Sequence, residues 1–235
     1  MAKVLEGPGM DLLKKWGMPV PNHVVLTSID QFDPLAQANP WLRNGRLVVK
    51  AHEAIGSRFK LGLVKIDLEL AGARKAVKDM LGRSVGAGLE VTQVIISEMI
   101  PHSAEYYIAV KSIREGADLM LASVGGIEIE SQWEKVQHVT IEVGDPVSAA
   151  ALDAAAKKAG FAKDLVPKVV EFAQRLYQCY DQEDAQYLEI NPLVLDARGE
   201  LVALDAVTLL DGDARFRHPD WNFTFASEFG RPYTG

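Results

Sequence analysis

The sequence predicts an α+β protein built from two lobes. Three extended segments follow one another with only short charged or turn-forming stretches between them, at 91–99, 106–112 and 118–124. This arrangement is typical of an antiparallel meander. Two later extended segments, 186–195 and 200–207, flank the turn-forming sequence DARG and predict a hairpin. Antiparallel strands mixed with strand–helix units favour an α+β fold over one doubly wound parallel sheet.

The remaining elements follow from hydrophobic periodicity and from glycine and proline. Before the meander, the pattern predicts a helix, three strands and a second helix, at 10–16, 23–27, 46–50, 62–66 and 68–81. The last of these has apolar residues at helical spacing. After the meander, a strand is predicted at 139–143 and helices at 149–159 and 166–180. The glycine-rich stretch 82–88 is predicted to be a connector.

Composition excludes several classes of protein. Hydrophobic residues make up 48% of the 235 residues, charged residues make up 24%, and the mean hydropathy is +0.01, as in ordinary globular proteins. The net charge of −7 argues against binding to nucleic acid or anionic lipid. A single cysteine, Cys179, excludes an internal disulfide and a cysteine-based zinc site. Because no signal sequence or membrane span is visible, we expect a reduced, cytoplasmic protein with neither nucleic-acid nor membrane partners.

The strand at 46–50 ends in a lysine that predicts an anionic ligand. Three apolar residues, Leu47-Val48-Val49, place the strand in a core, and a half-buried ammonium group needs an anionic partner. The loop that follows brackets two more cations, Arg58 and Lys60, between Gly56 and Gly62. Such a loop can fold over phosphates and neutralise their charge. The alternative is a solvated hairpin loop whose lysine extends to solvent.

The predicted hairpin carries a candidate Mg²⁺ site. Its register places Asn191 almost directly opposite Asp205, at roughly 5 Å between Cβ atoms. An amide oxygen and a carboxylate at that separation suit Mg²⁺, which leaves its other positions to phosphates and water. Glu189 shares the face of Asn191 and adds a second carboxylate. The alternative is the polar face of an edge hairpin.

Two further segments carry weaker signals. The stretch Glu98-Met99-Ile100-Pro101 ends a strand in a carboxylate and turns at a proline, so its backbone groups can meet a base while Glu105 reaches a ribose hydroxyl. An ordinary strand end is the alternative. The segment 209–235 concentrates aromatic residues without helical period, which either close over the chain's own core or dock on another protein.

Together, five motifs resemble the ATP-grasp unit of the NDP-forming acyl-CoA synthetase superfamily, which includes succinyl-CoA synthetase β-subunits and ATP citrate lyases. They are LVVKAHEAIGSRFKLGLVK (47–65), SEMIPHSAEYYIAVKSIREG (97–116), GGIEIE (125–130), YLEINPLVLDARGELVALDA (187–206) and LLDGDARFRHPD (209–220). They occur in the family's order and span nearly the whole chain. The RFKLGLVK and PHSAEYY stretches and the C-terminal sequence resemble the citrate-cleaving branch more than the succinate branch.

The resemblance implies a fold and residue roles. It implies one ATP-grasp domain over 1–235, with a lobe of about 22–96, a second of about 1–21 plus 97–220, and the nucleotide site in the cleft between them. The nucleotide-binding residues it implies are Lys50, Gly56, Ser57, Arg58, Lys60, Glu98, Met99, Ile100, Pro101 and Glu105. It implies that Asn191 and Asp205 hold Mg²⁺ and that Glu189 is catalytic, facing a phosphohistidine delivered by a partner subunit.

The resemblance also implies a reaction. ATP would phosphorylate a histidine of a large partner subunit, and the phosphoryl group would pass to citrate on the way to citryl-CoA, acetyl-CoA and oxaloacetate. Citrate and CoA would then be handled by the complex and its partner subunit. The alternatives are a succinate-, malate- or citryl-CoA ligase β-subunit, and a non-catalytic ATP-binding assembly module.

The sequence departs from the succinate branch at two positions. Phe59 stands where that branch has a glycine in its phosphate loop, and Val207 replaces the lysine that commonly follows the metal-binding aspartate. The related subunits also continue into an acid-CoA ligase domain. We therefore expect this chain to be a fragment, or the remaining domain to lie on another polypeptide.

Overall fold

The structure is a computed structural model that describes residues 2–56, 58–85 and 90–226. The described residues form two units, one of residues 2–20 with 101–225 and one of residues 21–100 with Ala226. Each unit has its own antiparallel sheet. No helix in the described residues is long and apolar enough to span a bilayer.

The described residues form eleven strands and six α-helices, numbered in chain order. The strands β1 to β11 are Ala2–Val4, His23–Leu26, Leu47–Ala51, Val64–Leu68, Val94–Glu98, Glu105–Ile113, Gly116–Ala122, Gln137–Glu142, Ala185–Leu195, Leu201–Ala203 and Val207–Leu210. The helices α1 to α6 are Glu6–Lys15, Phe32–Ala38, Trp41–Asn44, Leu70–Met80, Ala149–Lys158 and Val166–Gln182. Short 3₁₀ turns lie at Ile29–Gln31, Glu128–Ser131, Trp133–Lys135 and Gly212–Arg217.

The smaller unit is a four-stranded sheet in the order β2-β5-β3-β4. Side chains alternate along β3, so Leu47, Val49 and Ala51 point into one apolar core while Val48 and Lys50 lie on the other face. The helix α4 packs its apolar side on that core, which it reaches because its buried residues recur at helical spacing. The core therefore covers one face of the sheet and leaves Lys50 on the other.

The larger unit contains a sheet in the order β1-β11-β9-β6-β7-β8, with β10 paired to β9. The helix α6 lies on one face, where the Tyr180 hydroxyl and the Ser112 Oγ are 2.6 Å apart. The 3₁₀ turns of 128–135 cover part of the opposite face, where the Trp133 ring meets the edge of the Tyr107 ring at 5.6 Å. Glu189 lies on this second face because it pairs with Ala109, which shares the face of Tyr107, and Tyr187 joins it because it lies two residues before Glu189.

The predicted α+β class is confirmed, while the details of three predicted segments were wrong. The strand expected at 91–99 is β5 and pairs in the smaller sheet, so the meander consists of β6, β7 and β8 alone. The first helix begins at Glu6 rather than Met10. Its Gly-Pro-Gly sequence looks like a helix breaker, but a proline in the first turn costs no hydrogen bond. A Cβ on Gly9 would lie 2.9 Å from the Thr208 hydroxyl, so the glycine permits close packing.

The third difference concerns the predicted strand 200–207, which is interrupted. The ladder with β9 runs through β10 to Ala203, stops, and resumes in β11 at Val207. Over the gap, the Leu204 N–H donates to the Pro192 carbonyl, and the Ala206 N–H donates to the Asp205 carboxylate. These bonds replace ladder bonds, so a short non-strand segment carries Asp205.

A buried carboxylate joins three distant parts of the larger unit. Glu183 follows α6 and is 1% exposed, and its oxygens accept hydrogen bonds from the indole N–H groups of Trp16 and Trp221, each at 2.8 Å. The Lys15 ammonium lies 2.6 Å from Glu183 and also from the exposed Asp220. The first helix, the end of α6 and the segment after β11 therefore meet at one charged group.

Substituting Glu183→Gln should destabilise this unit by about 2–4 kcal/mol, because an amide cannot accept from both indoles and removes the charge that balances Lys15. The free energy of unfolding in urea measures the loss. Asp220→Asn is the matched control, since it removes only the exposed partner of Lys15, and it should leave the unfolding midpoint unchanged. Equal effects of the two substitutions would contradict this account.

Candidate functional site

In the smaller unit, Lys50 lies on the face of β3 opposite the helix-covered core. It is 9% exposed, and its cross-strand neighbours are Ile95 of β5 and Val64 of β4. A lysine held at this depth by apolar neighbours suits an anionic or polar ligand. The structure therefore places this candidate as the sequence predicted, at the end of a buried strand.

Sequence reasoning missed Ser97, which lies on the same face as Lys50. The backbone register pairs it with Val48, two residues before the lysine. Its hydroxyl is buried and has no hydrogen-bond partner among the described residues. A buried polar atom of this kind is uncommon and suggests a ligand. The signal in the sequence was a serine inside the apolar run VIISE, where alternation puts it opposite the core.

The loop between β3 and β4 folds back on its own base. The Arg58 guanidinium donates a hydrogen bond to the Ala51 carbonyl at 3.0 Å, and Arg83 donates to the carbonyls of Leu61 and Gly62 at 3.2 Å each. Gly62 has a φ of +69°, a conformation that favours glycine.

The exposed tip of this loop carries the other predicted residues. Gly56 and Lys60 are exposed, as is the Phe59 ring, while Ser57 lies outside the described residues. A Cβ on Gly56 would meet nothing within 4 Å, so this glycine leaves open space beside the loop. The loop therefore presents Lys60 to solvent and holds Arg58 closer to the strand.

The segment after β5 continues the pairing of the sheet. The Glu98 N–H donates to the Asn22 carbonyl at 2.8 Å, and its carboxylate accepts from the Asn22 amide at 2.9 Å. The Met99 N–H donates to the Arg46 carbonyl at 2.8 Å. Ile100 and Pro101 follow outside the strand. These bonds fix the backbone of the segment that the sequence predicted to meet a base.

In the larger unit, three polar side chains follow one another on one face of β9: Tyr187, Glu189 and Asn191. The pairs Leu193–Ala203 and Val207–Glu189 flank the interruption between β10 and β11. Asp205 occupies that interruption at the register position opposite Asn191. The arrangement inferred from the hairpin sequence is thus present in the backbone register, although Asp205 is not part of a strand.

A pair of glycines holds the amide of Asn191. The Gly126 N–H donates to Asn191 Oδ1 at 2.6 Å, and the Asn191 amide donates back to the Gly126 carbonyl at 3.3 Å. A Cβ on Gly125 would lie 2.4 Å from the Tyr106 carbonyl oxygen, and one on Gly126 would collide with the Glu105 carboxylate. The glycines let the backbone approach β6 and β9, and they fix the orientation of the asparagine.

Glu105 is the first residue of β6 and lies beside the turn formed by Gly125 and Gly126. Its carboxylate lies 3.4 Å from the imidazole of His102 and against Gly126. It is partly exposed, as a residue that contacts a ligand hydroxyl must be. The turn therefore contacts both Glu105 and Asn191.

The Glu189 carboxylate is the most perturbed acid in the larger unit's candidate site. Burial raises its pKa above the usual glutamate value, the Tyr187 hydroxyl lowers it by donating a hydrogen bond to Oε2, and the charge of Asp205 raises it. The net pKa is raised. Two carboxylates close enough to repel each other in a partly buried site favour a cation between them.

The oxygen donors on this face of β9 and at Asp205 fit a magnesium ion that also binds phosphates. Carboxylate and amide oxygens are its preferred protein ligands, and one or two suffice when phosphate oxygens complete the shell. Asp205 and Asn191 can supply them, since the Asn191 oxygen keeps a second lone pair beside its bond to Gly126. In the described part of the chain, no group of three or more acids, histidines or cysteines forms a self-sufficient metal site.

Comparison with known proteins gives a consistent family. Residues 4–221 match the model of the ATP-citrate synthase ATP-grasp domain. An ATP-citrate synthase alpha chain from Oryza sativa subsp. japonica is 32% identical over 88% of this chain and 49% of its own length. A succinate–CoA ligase (ADP-forming) subunit beta from Hydrogenobaculum sp. is 35% identical over 93% of this chain and 58% of its own.

Solved structures agree. ATP citrate lyase from Methanothrix soehngenii, in complex with citrate and coenzyme A, superposes with a TM-score of 0.82 at 25% identity, over 99% of this chain and 57% of that one. A dinucleotide-forming acetyl-coenzyme A synthetase of Ca. Korarchaeum cryptofilum shares the fold, with a TM-score of 0.73 at 18% identity over 89% and 94% of the two chains. The chain spans about half the length of the curated relatives that it matches.

The raised pKa of Glu189 predicts that, in metal-free protein, the difference in the free energy of unfolding between Glu189→Gln and the unsubstituted protein depends on pH. A raised folded-state pKa means that the carboxyl favours folding when protonated, and that this contribution is lost as pH rises through the folded-state pKa. The glutamine cannot ionise. The free energy of unfolding of the variant, relative to the unsubstituted protein, should therefore increase from pH 4 to pH 8.

Urea unfolding across that range, with a chelator present, measures the difference. Asp153→Asn is the control, because this exposed aspartate on α5 forms an ion pair with Lys157, one helical turn further on. A stability difference for Glu189→Gln that stays constant or falls with pH would contradict the assigned environment.

Proposed function

This chain belongs to the ATP-citrate synthase ATP-grasp family, and we propose that it binds Mg·ATP and donates the γ-phosphoryl group to a histidine of a partner subunit in a citrate-activating enzyme. The observation that carries the proposal is that Glu189 and Asn191 lie on one face of the middle of β9, with Asp205 at the register position opposite Asn191 and the glycine turn at 125–126 beside it. A single buried cysteine fits a cytoplasmic enzyme.

In the smaller unit, the end of β3 and the loop that follows it would bind the phosphates of the nucleotide. Lys50 would contact its phosphates from a buried strand end, where an ammonium group interacts strongly with anions. Arg58 and Lys60, with the backbone of Gly56 and Ser57, would neutralise the outer phosphates. Catalysis of phosphoryl transfer rests mainly on such positioning and charge neutralisation.

The base and ribose would lie against the segment that follows β5. The backbone of Glu98 and Met99 is fixed by its bonds to Asn22 and Arg46, so this part of the segment needs no reorganisation to meet a base. Glu105 would accept a hydrogen bond from a ribose hydroxyl. Asn191 and Asp205 would hold Mg²⁺, which neutralises phosphate charge when bound.

Glu189 would orient the accepting histidine. A carboxylate that accepts a hydrogen bond from one imidazole N–H leaves the other ring nitrogen with its lone pair free. That nitrogen would attack the γ-phosphorus, the bond from phosphorus to the bridging oxygen of ATP would break, and ADP would leave. The large partner subunit would carry this histidine together with the citrate and CoA sites.

A second candidate is the β-subunit of a succinate–CoA ligase. The specific observation that favours it is identity of up to 35% with such subunits over 93% of this chain. Both candidates share the first step, in which ATP phosphorylates a histidine, so they differ only in the acid that later receives the phosphoryl group.

Substituting Asp205→Ala should lower the Mg²⁺-dependent affinity for ADP by about 100-fold or more, because it removes the only charged metal ligand proposed here. Isothermal titration calorimetry with and without Mg²⁺ measures the effect, and thermal unfolding checks that the fold persists. Asp153→Ala is the matched control. If Asp205→Ala binds Mg·ADP as the unsubstituted protein does, the metal assignment fails.

Labelled ATP identifies the reaction. Incubating the assembled enzyme with ATP labelled at the γ-phosphate should give an acid-labile, base-stable label on a partner histidine. Citrate should then discharge the label, while succinate and malate leave it in place. Discharge by succinate instead would select the second candidate, and the absence of any labelled histidine would refute phosphoryl donation itself.

A further inference from the structure

Tyr187 contacts the one acid to which the proposed function gives a catalytic role. It lies two residues before Glu189 on the same face of β9, and its hydroxyl donates a hydrogen bond to Glu189 Oε2. The bond occupies one carboxylate oxygen and leaves Oε1 for another donor. The function proposed above gives Tyr187 no role.

The tyrosine itself is held by its surroundings. Its ring packs against the apolar cluster on this face of the sheet, which includes Tyr107, Met120 and Val136. The Tyr107 hydroxyl is buried beside that of Tyr187 without completing a well-formed hydrogen bond, and its ring is fixed by Trp133 at 5.6 Å. The Tyr187 phenol therefore has little freedom to move, and neither does the carboxylate that it binds.

The hydroxyl also stays a donor under working conditions. Burial and the neighbouring Glu189 raise the pKa of Tyr187 above its usual value, and burial raises the pKa of Tyr107 to about 12. Neither phenol loses its proton near neutral pH. The contact between Tyr187 and Glu189 is thus a permanent hydrogen bond between a fixed donor and a carboxylate.

We propose that Tyr187 is a positioning residue: it holds Glu189 by Oε2 so that Oε1 faces the imidazole N–H of the partner's histidine. The inference rests on the proposed function, since it concerns the same transfer. Fixing one oxygen of a catalytic carboxylate removes its rotational freedom before the substrate arrives, and misplacement of such a group commonly lowers rates by one or two orders of magnitude.

Tyr187→Phe in the assembled enzyme tests this role. In rapid-quench measurements with γ-labelled ATP, the maximal rate of phosphohistidine formation should fall about 10-fold while the Mg·ATP concentration at half-maximal rate stays unchanged. Tyr180→Phe is the matched control: it removes a buried hydroxyl that bonds Ser112 on the opposite face of the sheet. The control should transfer phosphate at the unsubstituted rate.

A double substitution separates positioning from a general structural role. If Tyr187 acts through Glu189, Tyr187→Phe should slow the transfer by less than about twofold when Glu189→Gln is already present. An equal slowing in both backgrounds would overturn the inference, as would an unchanged rate in the single variant. If the unsubstituted enzyme forms no phosphohistidine, the proposed function fails first, which is a different result from a normal rate in Tyr187→Phe.

Discussion

The alternation of side chains along Ala185–Leu195 is the constraint on which the larger unit depends. One face of this central strand packs its apolar residues beneath the helices, so Tyr187, Glu189 and Asn191 must share the other. A shift of one residue in register would turn all three polar side chains toward the helices and turn Leu188 and Ile190 away from them. The fold and the candidate site are therefore specified by the same hydrogen-bond ladder.

The parts of the site that the sequence could predict are those governed by local periodicity. The strand ending in Lys50 and the register that sets Asn191 opposite Asp205 follow from alternation and turn position. The interruption at Leu204–Ala206 could not be predicted, since its bonds to Pro192 and to the Asp205 side chain exist only after the strands pair. The wrongly expected start of α1 has a similar cause, because Gly9 is required by packing against Thr208.

Local periodicity does not predict contacts between residues far apart in the chain. Gly126 and Asn191 are separated by 65 positions, yet each satisfies the other's hydrogen-bonding groups. In the sequence, GGIEIE identifies a family motif. It does not show that only glycine fits at Gly125 and Gly126 because Tyr106 and Glu105 lie against them. Ser97 is comparable: the apolar run VIISE indicates which face the serine lies on, but that its hydroxyl is buried without a partner among the described residues is a property of the assembled sheet.

The carboxylate of Glu183 limits how short a folded ATP-grasp segment can be made. The family match ends at residue 221. The indole N–H of Trp221 donates a hydrogen bond to the Glu183 carboxylate. A boundary drawn a few residues earlier would leave the carboxylate's second oxygen without its indole donor and would remove the ring that stacks on His218. Segments of this chain cut for expression or for fusion should thus retain Trp221, because its indole N–H satisfies a buried carboxylate of the larger unit.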